Sequence, residues 1–220
     1  MMNHLPVLQV IIPLLAAPLC AIVRNGRIAG VIAVASSWVS LWMAWKIFQL
    51  VQVAGTISYN LGGWMAPIGI EYRIDTLAAF VLILVTLVGA VVTPYAITSV
   101  KKEIDESKES LFYAAFLLCL SGLLGIVVTG DIFNVFVFLE ISSLSAYALI
   151  ALGKDRRALI ASYQYLIMGS VGATFIVIGI GMLYVMTGSL NMADLAILLP
   201  ELPSNRIIPV AFAFLTIGVC

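Results

Sequence analysis

Glu140 is the residue with the clearest chemical potential. It is the only charged side chain in the apolar run Ile132–Leu152. It lies about nine positions into that run, so about 13 Å from its start at 1.5 Å per residue. If the run crosses a membrane, that depth is close to the bilayer centre. An acid there costs roughly 2.5–3.5 kcal/mol on insertion scales and faces a protein interior or a water path. A carboxyl at such a site suits proton uptake and release near neutral pH. Helical spacing puts Phe133, Phe136, Ser143 and Tyr147 near the same face. Ser143 and Tyr147 could hold water or relay a proton, and the Phe rings would limit hydration. The rival reading makes Glu140 neutral or paired glue between helices.

Asp131 follows Gly130 and opens the same run. It reads either as the N-cap that satisfies free N–H groups or as an acid at the mouth of a proton path. Asp75 opens an earlier run and carries the same two readings. Asn134, one turn inside, is expected to bond a neighbouring helix. No metal site or cofactor is expected. His4 is the sole histidine, and Cys20, Cys119 and Cys220 are far apart and read as small hydrophobes. There is no cluster motif, haem ligand, dinucleotide fingerprint or glycine-rich phosphate loop.

The elements that must position these residues follow from composition. Of 220 residues, 63% are hydrophobic and 10% charged, with a net charge of +0. Soluble domains carry roughly 25% charged residues. So much apolar surface needs lipid as solvent, which excludes a soluble enzyme, a disordered tail and a secreted disulfide scaffold. No basic stripe exists to follow nucleic acid. Six long apolar runs occupy Leu5–Val23, Ile28–Ala54, Ile74–Thr98, Leu111–Thr129, Ile132–Leu152 and Leu159–Thr187, and a seventh starts at Ile207. The expected fold is all-α, a polytopic membrane helix bundle forming one membrane domain over 1–220. A crossing takes about 20 residues, so the seventh run is expected to be cut short and the chain to be the front part of something longer. The first run lacks a basic flank and a good cleavage site, so it is expected to be retained.

Arg24, Arg27, Lys101, Lys102, Lys108, Lys154, Arg156 and Arg157 all fall in odd-numbered connections. That distribution predicts cytoplasmic odd connections and an N-terminus outside. Lys46, toward the outer end of its run, is expected to snorkel. In the outer connection, residues 57–64 roughly alternate up to Gly62-Gly63, and Ile68, Ile70 and Tyr72 recur at period two. This predicts a short β-hairpin on the outer face. Gly169, Gly172, Ala173, Gly179 and Gly181 read as a helix-packing stripe, and Pro94 as a kink.

The segment Gly130-Asp131-Ile132-Phe133-Asn134-Val135-Phe136-Val137-Phe138-Leu139-Glu140-Ile141-Ser142-Ser143-Leu144-Ser145-Ala146-Tyr147 resembles the fifth-helix signature of the antiporter-like proton-translocating subunits. These occur in Mrp-type multisubunit cation/proton antiporters, respiratory complex I and membrane-bound hydrogenases. Residues Gly63–Asp75 resemble the same family's hairpin and third-helix start. Ala161–Ser170 and Thr187–Leu195 resemble its sixth helix and following loop. Within the family the chain is similar to the D-type members found in Mrp antiporters.

The resemblance implies about fourteen helices, an outer N-terminus, and two inverted repeats of five helices with broken helices. It implies that Glu140 pairs with a seventh-helix lysine, which would follow the stretch matching Ala211–Cys220. Gln164 departs from the lysine that many relatives carry there. The implied function is the proton-translocating subunit of a multisubunit monovalent cation (Na+)/H+ antiporter in the inner cell membrane. Its partners would be the lipid bilayer, other subunits, protons and Na+. The rival is a proton-pumping subunit of a complex I-like quinone reductase or hydrogenase, with every redox centre in other subunits. A nonconducting scaffold is the third reading.

Overall fold

The computed structural model describes residues 4–202 and 206–219. Cys220 lies outside the described residues. The helices are α1 (Leu5–Val23), α2 (Gly26–Ala54), α3 (Thr76–Glu103), α4 (Glu109–Val128), α5 (Ile132–Ala151), α6 (Arg156–Thr187), α7 (Met192–Glu201) and α8 (Ile207–Val219). The strands are β1 (Ile57–Asn60) and β2 (Glu71–Ile74). Among the described residues six helices, α1 to α6, are long and apolar enough to cross a membrane. Helix α8 is a shorter apolar helix, the one expected from Ile207.

Helix ends follow local chemistry. Asn25, Asp75, Asp131, Asp155 and Asn191 each accept a backbone N–H in the first turn of the helix they precede. Helix α3 runs through Pro94 and beyond the expected Thr98, because Lys101 and Lys102 favour the negative end of its dipole. Helix α7 replaces an expected loop. Its N-cap is Asn191, Asp194 sits in its first turn, and Leu195 is buried. At ten residues, or about 15 Å, it is too short to cross.

Helix α4 is the hub and packs on α1, α2, α3 and α5, while α6 packs on α5 and α8. Small residues set these approaches. A Cβ at Gly122 would lie 2.7 Å from the Ser142 backbone nitrogen, and one at Gly125 would strike the Phe138 ring. On α6, Gly172 faces the Gly218 carbonyl and Gly179 the Ala211 carbonyl. Gly181 meets open space, so it does not belong to the expected packing stripe.

A buried polar seam also threads the core, unheralded by the sequence. Gln9 is 0% exposed and donates to the Ser40 carbonyl at 3.1 Å. Thr93 donates to Ser37 at 3.1 Å, and Ser121 donates to the Val10 carbonyl at 3.0 Å.

The hairpin exists but is narrower than expected. Its register pairs Ile57 with Ile74, Ser58 with Arg73, Tyr59 with Tyr72 and Asn60 with Glu71. Ile68 and Ile70 lie outside β2, and Ile68 is 87% exposed. Pro67 has no N–H to give a ladder, so the intervening chain closes as a loop through Leu61 N–H to Ile70 O at 3.0 Å.

Candidate functional site

Glu140 opens onto a cavity of about 650 Å³ between α5, α6 and α8. Ser143 and Tyr147 line the same cavity, one and two turns further along α5, with Phe136 at its other edge. The structure therefore brings together three of the four sequence-derived site residues. Among the described residues, no hydrogen bond or ion pair reaches the Glu140 carboxylate or the Ser143 hydroxyl. Lys46 is exposed and donates to Gln49 at 3.4 Å.

Tyr147 is held by features that local pattern does not reveal. Its carbonyl accepts from the Ser162 hydroxyl at 2.8 Å, and its ring stacks on Tyr165 at 6.4 Å. Its hydroxyl occupies the space that a Cβ at Gly169 would fill. Gly169 is thus a notch that lets the phenol reach into the α5–α6 interface. Gln164 is exposed and does not line the cavity.

Phe133 is not in this cavity, although it shares a helical face with Glu140. Seven residues separate them, about 10 Å along the axis. Phe133 instead lines an apolar cleft of about 260 Å³ with Ile180, Gly181 and Tyr184 of α6.

Asp131, the fourth residue, also lies outside the cavity. It is the N-cap of α5, its Oδ1 accepting from the Asn134 N–H at 2.7 Å. Asp131 is 7% exposed. Burial pushes its carboxyl up from the ordinary range, against the opposing pull of the Asn134 and Phe133 N–H groups. Asn134 reaches the end of the neighbouring helix α4, as expected. Its amide donates to Thr129 at 3.0 Å, beside the buried Tyr72 of β2. Burial raises the Tyr72 phenol, and the Asn134 contact partly offsets this.

Three connections meet around Asp131. Gly130 N–H donates to the Glu71 carbonyl at 2.8 Å, Ile132 N–H to Leu190 O at 2.9 Å, and Met192 N–H to Gly130 O at 2.9 Å. The Glu71 carboxylate accepts from Ser58 at 2.5 Å and from Asn191 at 2.8 Å. Glu71 thereby ties the hairpin to the turn before α7 and fixes the start of α5. Nothing in the sequence singled out Glu71 or Asn191, because they meet from 120 positions apart.

Residues 129–220 match the family described as NADH:quinone oxidoreductase/Mrp antiporter, TM. Over its whole length the chain is 43% identical to the N subunit of NADH-quinone oxidoreductase from Desulforudis audaxviator, covering 44% of that relative. It is 33% identical to the D subunit of the Na(+)/H(+) antiporter from Bacillus subtilis, over 95% of this chain and 42% of the relative. Among solved structures it resembles a chain of the membrane-bound sulfane sulfur reductase, an archaeal respiratory membrane complex. The TM-score is 0.89 at 31% identity, covering 98% of this chain and 44% of that one. The chain spans less than half the length of these relatives.

Proposed function

The chain belongs to the antiporter-like membrane subunits shared by NADH-quinone oxidoreductases and Mrp antiporters, and on that premise we propose that it carries protons in a multisubunit monovalent cation/proton antiporter. The observation that carries this reading is the unpartnered Glu140 carboxylate at mid-helix, opening with Ser143 and Tyr147 onto one cavity. An intramembrane acid that opens onto a cavity is placed to take up and release a proton. Two hydroxyls on successive turns give a proton a donor–acceptor chain along α5. Waters of ~30 Å³ each would complete that chain within the cavity.

The cavity runs from Phe136 toward Tyr147, the half of α5 nearer the basic connections. By the positive-inside rule that half faces the cytoplasm, with the N-terminus outside and Asp131 at the outer end. The region is read as the front part of a subunit of about fourteen helices, in which a seventh-helix lysine would answer Glu140. Na+ is the coupled cation of this reading.

The test is Glu140→Gln in the full-length subunit within its complex, assayed in inverted vesicles with a pH-sensitive dye. Loss of a proton-transfer group should cut flux by at least about 100-fold. Unchanged flux, with normal membrane insertion, would end the role assigned to Glu140.

The 43% identity to an NADH-quinone oxidoreductase subunit favours a second reading, a redox-driven proton translocase. Genes for iron–sulfur or hydrogenase subunits beside this one, and flux driven by an electron donor instead of a Na+ gradient, would select it.

A further inference from the structure

At the basic end of the bundle, the turn between α1 and α2, the end of α3 and the start of α4 enclose a pocket of about 380 Å³. We propose that this pocket holds the phosphoethanolamine headgroup of a membrane lipid. Arg24, Arg27 and Lys101 line it on the positive side, and Glu106 and Glu109 on the negative side. Among the described residues the ion pairs are Lys108–Asp105 and Lys154–Asp105, so none of these five side chains is neutralised by a protein partner.

Glu109 is the most informative of the five. It is 7% exposed and makes no hydrogen bond or ion pair among the described residues. Its carboxylate packs on Gly26, where a Cβ would collide with it. That carboxylate stands at the wall of the pocket with no cation at ion-pair distance among the described residues. A ligand ammonium would supply it.

The three cations call for an anion of the same ligand, and the first turn of α2 adds N–H groups on that side. A phosphate joined to an amine answers both demands. A headgroup with phosphate alone would bring no cation to Glu109, which no side chain pairs with among the described residues.

Depth argues for a lipid as the source. Arg24–Arg27 join two membrane-length helices, so the pocket lies at headgroup level. Leu15, Leu19 and Ile22, at 60%, 53% and 74% exposure, share one face of α1 and end two residues before Arg24. That stripe gives acyl chains a track leading away from the headgroup. Arg24 itself sits at φ 53, a left-handed position that glycine fills more easily. An arginine held there keeps its charge at the pocket.

The test uses the complete complex in phosphatidylcholine vesicles doped with a photoactivatable phosphatidylethanolamine, or with the matching phosphatidylglycerol. After irradiation, adducts are mapped by mass spectrometry on the peptides around Ile22–Ile28 and Lys101–Leu111. Phosphatidylethanolamine should label these peptides in preference to phosphatidylglycerol. Arg24→Gly with Arg27→Gln removes charged donors to the phosphate and should cut labelling by at least about tenfold. Arg24→Gly also eases the backbone, which separates lost binding from lost folding. Glu109→Gln should remove the preference for the amine-bearing lipid while phosphate contacts persist. Unaltered labelling in the double variant would overturn the proposal, as would equal labelling by both lipids in the wild type. Suppression by excess soluble phosphoethanolamine would also overturn it, by assigning the site to a free phosphate ester. None of these results depends on Glu140, so the proton reading stands or falls separately.

Discussion

Gly122→Ala should damage the Glu140 site from the opposite helix. A methyl at position 122 would lie 2.7 Å from the Ser142 nitrogen and 2.9 Å from the Phe138 carbonyl, the backbone on either side of Glu140. Ordinary contact begins at 3.4 Å, so α5 must retreat by about 0.7 Å. Backbone cannot rotate out of the way as a side chain can. Overpacking of this kind costs about 1–3 kcal/mol, offset by at most about 1 kcal/mol of helix propensity gained over glycine. The net loss should lie between about 0 and 2.5 kcal/mol. The displacement matters more than the loss, because it moves Glu140 and Ser143 as a unit. A shift approaching 1 Å in a reacting geometry is worth up to about 100-fold in rate. Proton flux in vesicles and thermal unfolding in detergent would be measured on the full-length subunit in its complex. Gly181→Ala serves as the control, since its methyl meets open space. Flux within twofold of wild type in Gly122→Ala, with unfolding unchanged, would refute both the tight α4–α5 approach and the need for Glu140 to hold its position.

Asp131→Ala should cost about 0.5–2 kcal/mol by removing the α5 cap, whereas Asp131→Asn keeps a capping oxygen and should be nearly neutral. The buried Asp131 carboxyl lies above its ordinary value of 3.8, so the folded state holds that proton more tightly than the unfolded chain does. Its contribution to stability is therefore largest at low pH and falls as pH rises from about 3.8 through the raised value. Asp131→Asn should flatten that part of the unfolding-versus-pH curve, and calorimetry across it would show whether it does. Glu71→Ala should free Ser58 and Asn191 and cost about 1–3 kcal/mol. Hydrogen exchange should then speed up in β1 and at the start of α7 while α3 keeps its protection. Arg24→Gly should raise the unfolding midpoint of the delipidated complex, because the left-handed residue becomes glycine; an unchanged or lower midpoint would contradict the strain assigned there.

The parts legible in the sequence are those set by local chemistry. Membrane-length apolar runs announce themselves, and so do caps such as Asp75 and Asp131, because a helix start needs only the next three residues. The Glu140–Ser143–Tyr147 face was legible from helical spacing alone. Helix α7 was not, since ten residues with Pro200 near the end carry too little periodic signal to stand out from a loop. Phe133 was placed by angle and missed by distance. The partners of Glu71 and the notch at Gly169 were invisible for another reason. Each depends on which strand or helix arrives opposite, and a single sequence read by local pattern does not encode that arrival.

The two halves of α5 differ in a way that bears on direction. From Phe136 toward Tyr147 the helix borders a cavity with an acid and three hydroxyls, those of Ser143, Tyr147 and Tyr165. From Phe133 outward it borders a smaller cleft lined by Phe133, Val177, Ile180, Gly181, Tyr184 and Leu190, none of which carries a charge. Water enters polar, roomy cavities and leaves apolar ones dry. On the function proposed above, Glu140 would stand where a wettable path ends and a dry one begins. A proton on Glu140 would exchange readily with the Tyr147 side and would meet a barrier on the Asp131 side. Asp131 is engaged in capping and lies beyond the dry cleft, so it does not bridge that barrier. In that proposal, transport across the whole thickness would take either transient wetting of the Phe133 cleft or a lateral step from Glu140 to a group on another element. The lateral step asks less of the protein, because the open flank of the cavity already borders α8 while the cleft would have to be rebuilt.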